Sequence, residues 1–125
     1  MERDTENLSP LERSVDELLT CGADDWVDAA EVAWVARSVG GATTEAEIRE
    51  LSIDLIREVL EQGFMRIGDV TKEGFRPWPL SSGDAVLRVR NEWTALGRGP
   101  RLGEIFWLEN TETGDQRSRR VRNSS

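Results

Sequence analysis

The stretch Leu51-Ser-Ile-Asp-Leu-Ile-Arg-Glu-Val-Leu-Glu-Gln-Gly-Phe-Met-Arg-Ile67 contains the change from helix to strand on which the fold of this chain depends. Up to Gly63 the apolar residues recur at intervals of three and four, which places them on one face of a helix. Glycine is common just past the last residue of a helix, so Gly63 marks its end. The residues that follow have the composition of a β-strand. The sequence therefore predicts a helix that is joined to a strand at Gly63.

Thr44 predicts the start of this helix, because Glu47 lies three positions later, where its carboxylate can accept a hydrogen bond from the backbone amide of the capping residue. Ser52 leaves open whether residues 44–62 form one helix or two. The face that we expect to be buried carries six aliphatic residues: Ile48, Leu51, Leu55, Ile56, Val59 and Leu60.

The residues after Gly63 predict a β-hairpin. Residues 64–70 would form its first arm, the turn-like segment Thr71–Gly74 its bend, and residues 75–78 its second arm. Pro77 and Pro79 would end the second arm, because proline has no amide hydrogen to donate to a neighbouring strand.

Two more helices are predicted before residue 44. The first begins with a cap at Ser9, followed by Pro10 and Glu12, and ends before Gly22. The second would begin with a cap at Asp24 or Asp25 and run to Gly40. Because its apolar residues surround most of its circumference, we expect this second helix to be central and largely buried.

Downstream of the hairpin the sequence predicts one more helix and one strand. The helix would begin at Ser81 or Ser82 and end at Gly97, and the strand would cover Glu104–Glu109. These elements predict an α+β fold in a single domain over residues 9–110. Residues 1–8 are predicted to be a disordered N-terminus and residues 111–125 a flexible, Arg-rich tail.

The composition argues against several classes of chemistry. Histidine is absent from the 125 residues and cysteine occurs once, at Cys21. Without histidine no Ser-His or Cys-His nucleophile can be assembled, and one cysteine cannot build a Cys-rich zinc or iron–sulfur site. The 24 acidic residues show no calcium-loop or similar ligand spacing. We therefore expect neither enzymatic activity nor a cofactor or metal.

The sequence also predicts a cytoplasmic protein without membrane contact. No apolar run approaches the length of a membrane span, and the polar, acidic start of the chain lacks the pattern of a signal peptide. One cysteine cannot form an internal disulfide, which agrees with a reducing compartment.

Three helical segments followed by a hairpin resemble a winged helix-turn-helix domain over about residues 9–78. The stretch Leu51–Ile67 is similar to the recognition helix and first wing strand of many bacterial regulators. The resemblance implies a winged-helix-like fold of three to five helices with the hairpin as its wing, extended by the later helix and short strand. The whole sequence also looks like small proteins of high-GC bacteria, in keeping with its 15 Arg and single Lys.

The charge distribution departs from that of a DNA-binding winged helix. In such a domain the recognition helix enters the major groove and neighbouring basic residues neutralise phosphates. Here residues 44–62 carry six acidic residues against Arg49 and Arg57. Residues 1–62 carry sixteen acidic residues against five Arg. A surface of this kind would repel DNA.

The favoured interpretation is therefore a non-enzymatic module that binds another protein, one with a basic surface, through an acidic helical face. Both an immunity or antitoxin-like role and an adaptor role fit this prediction, and a homodimer stays open. The candidate partner-binding residues are Asp24, Asp25, Asp28, Glu31, Glu50, Asp54, Glu58 and Glu61.

The alternative is a winged-helix transcriptional regulator that binds DNA through its wing and basic tail. Its candidate nucleic-acid contacts are Arg66, Lys72, Arg76, Arg117, Arg119, Arg120 and Arg122.

The five tryptophans divide into two predicted groups. Trp34, Trp93 and Trp107 lie on apolar stripes and are predicted to be in the core. Trp26 begins a helix, and Trp78 lies between two prolines, so partial exposure is open for both; for Trp78 the alternative is burial in the gap between the wing and the fourth helix.

Overall fold

A computed structural model describes residues 8–123 of the chain, which form five helices and one four-stranded antiparallel sheet. This confirms the predicted α+β class. Residues 1–7, most of the predicted disordered N-terminus, lie outside the described residues. The elements in chain order are α1 (Pro10–Gly22), β1 (Val27–Asp28), α2 (Ala29–Ser38), α3 (Glu45–Glu61), β2 (Met65–Thr71), β3 (Gly74–Pro77), α4 (Ser82–Leu96), β4 (Trp107–Asn110) and α5 (Glu112–Asn123).

Helix starts follow the predicted capping signals in three cases. Ser9 and Thr44 form complete capping boxes with Glu12 and Glu47, and Ser81 caps α4. Helix α3 is one continuous helix from Glu45 to Glu61. Ser52 is fully buried within it and does not divide it.

The strands are arranged in the order β1-β4-β2-β3. Strands β2 and β3 form the predicted hairpin, in which Gly68 lies opposite Pro77. The last strand lies between β1 and β2, so Gly68 also faces Trp107 on its other side. Gly68 therefore lies at the centre of three paired strands.

The second helix begins later than the sequence predicts. Residues Val27 and Asp28 form β1, which pairs with Leu108 and Trp107 of β4. The cap of α2 is Asp28 instead of Asp24 or Asp25, and its side chain accepts a hydrogen bond from the amide of Glu31. A two-residue strand whose partner lies far along the chain has no local signal, which explains the error.

The core consists of apolar residues of α1 to α4 and of β1, β2 and β4, with Trp78 and Phe106 from the connecting segments, and its largest fully buried side chain is Phe106. The core prediction for Trp34 is wrong, whereas Trp78 takes its buried alternative. Trp34 is 45% exposed on α2, and Trp78 is 7% exposed, with the guanidinium of Arg88 stacked 3.7 Å from its ring centroid. Trp93 is buried, as predicted, and Trp26 is half-buried; Trp107, predicted in the core, is also only half-buried.

Up to residue 123 the C-terminal segment differs from the prediction of a flexible tail over residues 111–125; residues 124 and 125 lie outside the described residues. Residues Glu112–Asn123 form α5, whose first turn is closed by the Thr111 hydroxyl accepting from the amide of Gly114. The domain predicted to end at residue 110 thus has a further helix, which packs on α1. Acidic residues in the first turn of α5 and arginines in its last turn match the helix dipole.

None of the helices within residues 8–123 combines the length and the apolar character that crossing a membrane requires.

Candidate protein-binding surface

Four of the predicted partner-binding residues lie along one side of α3. Glu50, Asp54, Glu58 and Glu61 are spaced by four, four and three positions, so their side chains line up on the helix surface. The opposite side buries Ile53, Ile56 and Val59 against the core. Glu50, Asp54 and Glu61 are exposed and Glu58 is half-buried. We call these four carboxylates the acidic stripe.

The first half of the acidic stripe is partly neutralised by arginines. Both guanidinium nitrogens of Arg90 on α4 donate to Glu50, at 2.8 and 3.1 Å, and these hydrogen bonds hold the pKa of the Glu50 carboxyl below its ordinary value. Arg57 donates to Asp54 at 3.1 Å. In the second half, the Glu58 carboxylate accepts a hydrogen bond from the side-chain amide of Gln62, at 3.3 Å, and Glu61 is exposed; among residues 8–123 neither forms an ion pair with a basic side chain. The excess negative charge is therefore concentrated at the C-terminal end of α3.

The other predicted acidic residues belong to a different part of the surface. Asp24 and Asp25 lie between α1 and β1, at the rim of a 340 Å³ cavity that also includes Glu109 and Asp115. No residue of α3 lines this cavity. Glu31 lies in the first turn of α2. The structure thus separates Asp24 and Asp25 from the acidic stripe.

Asp28 is not available to a partner, and its prediction as a docking residue is wrong. The residue is 3% exposed, and its two carboxylate oxygens accept from the amide of Glu31 at 3.0 Å and from the amide of Gly103 at 2.7 Å. It caps α2 and at the same time fastens the loop before β4. Asp28 is therefore a structural residue.

Glu31 contributes to the surroundings of the single cysteine. The Cys21 thiol is half-buried and donates to the carboxylate of Glu17 at 3.9 Å. Burial, with the negative charges of Glu31 and Glu17, raises the pKa of this thiol from 9.0 to about 12. Its reactive thiolate form is correspondingly disfavoured.

We expect Cys21 to be alkylated roughly 100-fold to 1000-fold more slowly in the folded protein than in the urea-unfolded chain at pH 8, because the reactive thiolate is suppressed. The rate in the folded protein should keep rising with pH above 9, where that of the unfolded chain levels off. Mass spectrometry after timed iodoacetamide treatment measures both rates. Glu31→Gln should accelerate the reaction of the folded protein and Glu61→Gln should leave it unchanged. A folded-state rate within tenfold of the unfolded one would contradict the raised pKa.

Several of the bases required by the DNA-binding alternative are already engaged within the molecule. Arg66 pairs with Glu109 and lies over the ring of Phe75, 5.4 Å from its centroid. Arg117 donates to both carboxylate oxygens of Asp16, at 3.0 and 3.4 Å. Lys72, Arg76 and Arg120 are exposed, and Arg119 makes a 3.5 Å contact with Glu112. Arg122 lies on the exposed last turn of α5.

The sequence did not reveal the two carboxylates that pair with these arginines, Glu109 with Arg66 and Asp16 with Arg117. Glu109 also accepts from the indole nitrogen of Trp26, at 3.2 Å. Burial raises the pKa of the Glu109 carboxyl, but hydrogen bonds from Arg66 and Trp26 outweigh it and leave the pKa lowered. Neither residue has a local motif, because each depends on a partner at a distant position in the sequence.

Residues 8–123 contain no group of three or more His, Cys, Asp or Glu side chains arranged to hold a metal ion. The chain matches no protein-family model, and comparisons with curated proteins and with solved structures found no match. Any function must therefore be argued from its own residues.

Proposed function

We propose that this chain is a non-enzymatic, winged-helix-like module that binds another protein with a basic surface through the acidic stripe. Three helices followed by a hairpin support the winged-helix arrangement. The partner would be either a basic toxin or nuclease that the chain occludes, as an immunity or antitoxin-like protein does, or a component of an assembly to which it serves as an adaptor.

The observation that carries this proposal is the charge on the exposed side of α3. In a DNA-binding winged helix this side carries the groove-reading residues. Here it carries the acidic stripe, and its arginine neighbours Arg57 and Arg90 are bound to Asp54 and Glu50. A DNA-binding domain has basic side chains at these positions, which attract phosphate. Carboxylates at the same positions repel phosphate and attract a basic protein.

The test is a pull-down from the source cell with a charge-reversed variant of the stripe. We expect Glu58→Lys/Glu61→Lys to retain the partner at least about tenfold less than the wild type, because two attractive charges become repulsive. The exchange should not harm folding, since lysines near the C-terminal end of a helix suit its dipole. Retention by the wild type should fall as salt in the wash increases.

The matched control is Glu73→Lys/Asp84→Lys, which makes the same change in net charge at two exposed positions, on the hairpin and at the start of α4. It should retain the partner like the wild type. Equal losses in both double variants would mean that only overall charge matters and would remove the acidic stripe as the docking surface. Identification of the retained protein as a toxin or as an assembly component separates the two roles.

A further inference from the structure

Helix α5 packs on the rest of the molecule with almost no apolar side chain. Its buried residues are Gly114 and Ser118, and the one aliphatic residue in its sequence, Val121, is half-buried. Burial of apolar area, the main source of stability for most helix contacts, therefore contributes little here. The attachment of α5 depends on polar contacts and on close backbone packing.

One polar contact of α5 is the ion pair between Asp16 of α1 and Arg117. Asp16 is 8% exposed, and Arg117 reaches both of its oxygens. The Arg117 side chain is 32% exposed and that of Asp16 is 11% exposed, so the pair is partly buried, and the loss of hydration of the two charges offsets much of their attraction. If α5 detaches, both groups regain water, so the net contribution of this pair to docking is small.

A second feature works against docking. The hydroxyl of Ser118 is fully buried at 0% exposure and has no hydrogen-bond partner among the described residues. A buried polar group without a partner destabilises the state that buries it. Detachment would release this hydroxyl into water. Helix α5 thus combines weak attachment with a penalty that detachment removes, as expected of a unit that opens locally.

Detachment would change the surface beside the acidic stripe. A notch of about 180 Å³ lies where α1, α3 and α5 meet, with Leu11, Val15 and Phe64 as its apolar part and Glu58 of the stripe at its rim. Arg117 of α5 also lines it. Apolar walls that suit an aliphatic stem, next to carboxylates that suit a cationic head, are the surroundings in which Arg and Lys side chains bind.

We propose that α5 is a detachable, autoinhibitory arm, whose Arg117 occupies in its own chain the place that an arginine of the basic partner takes after the arm is released. The identity of the competitor, a basic partner, rests on the proposed function. The detachment of α5 does not, because it is a property of this chain alone. Partner binding and release of α5 are then coupled, because Arg117 and the arginine of the partner compete for the same place in the notch and for Asp16.

Gly114→Ala in the full chain tests the detachment. A Cβ at Gly114 would lie 2.1 Å from the carbonyl oxygen of Phe64, a backbone atom, so docking of α5 is blocked. We expect amide hydrogen exchange in α5 to become about tenfold faster or more, while exchange in α3 changes less than about threefold. Thr113→Ala, at the exposed neighbouring position, should exchange like the wild type.

Exchange in the wild type provides a second measurement that needs no variant. Amides of α5 should exchange faster than those of α3, because α5 is expected to detach without unfolding of the core. If α5 and α3 are equally protected, or if Gly114→Ala accelerates both to the same extent, α5 belongs to the cooperative core and the proposal is overturned.

The autoinhibitory role has its own readout. In the pull-down, Gly114→Ala should retain more of the basic partner than the wild type does, and unchanged or reduced retention would overturn the covering role. Failure of the proposed function looks different, because then neither protein retains a salt-sensitive basic partner while the exchange result for α5 is unaffected.

Discussion

Gly68→Ala is expected to lower the free energy of unfolding by about 3 kcal/mol, a large effect for the addition of one methyl group. The Cβ would lie 2.2 Å from the carbonyl oxygen of Arg76 and 2.7 Å from the Cα of Pro77. Both are backbone atoms of β3, so the clash can be relieved only by moving β3 away from β2. Gly68 is also paired with Trp107 on its other side, which leaves β2 no room to retreat. Urea unfolding followed by tryptophan fluorescence measures the change.

Gly83→Ala is the matched control. Gly83 lies in the first turn of α4, and a Cβ there meets no atom within 4 Å. Alanine at this position should leave the free energy of unfolding unchanged or raise it by about 0.5 kcal/mol, since it restricts the unfolded chain and favours the helix. Similar results for both alanine variants would show that β2 and β3 are not held as closely as the structure indicates.

Elements with strong local signals could be predicted from the sequence. Helices α1, α3 and α4 each begin at an oxygen-bearing cap, and in α1 and α3 a glutamate three positions later completes the box. The hairpin follows from Gly63, the turn at Thr71–Gly74 and the prolines that end it. In each case the residues that decide the structure lie within a few positions of one another.

The elements that were missed depend on distant residues or lack an apolar pattern. Strand β1 exists because Val27 and Asp28 pair with β4, about 80 positions later. Helix α5 has no apolar stripe, so the periodicity that reveals most helices is absent from its sequence. Its first turn is capped by Thr111, and its Arg117 pairs with Asp16, which is 101 positions away.

The candidate site divides in the same way. Helical spacing was sufficient to place the acidic stripe on one side of α3, because that depends only on the helix. Which charges are available to a partner could not be predicted. Arg66 and Glu109 are 43 positions apart, and Asp28 and Gly103 are 75 apart, yet each pair is joined by a hydrogen bond. Only the assembled fold distinguishes a charge that faces solvent from one that holds two elements together.

Asp28 allows that distinction to be measured. We expect Asp28→Ala to lower the free energy of unfolding by about 3 kcal/mol, because it removes the cap of α2 and leaves the amides of Glu31 and Gly103 without an acceptor. Asp24→Ala, an exposed aspartate four positions earlier, should change it by less than about 0.5 kcal/mol. Urea unfolding curves of the two variants provide the comparison.

Asp28→Asn refines this prediction, because an amide oxygen can still cap α2, whereas the amide nitrogen cannot accept from Gly103. Its stability should therefore lie between those of the wild type and Asp28→Ala. Per folded molecule, Asp28→Ala should retain as much basic partner as the wild type, since a residue that is 3% exposed presents no charge to a docking protein. Loss of partner binding without loss of stability would falsify the structural role and return Asp28 to the docking surface.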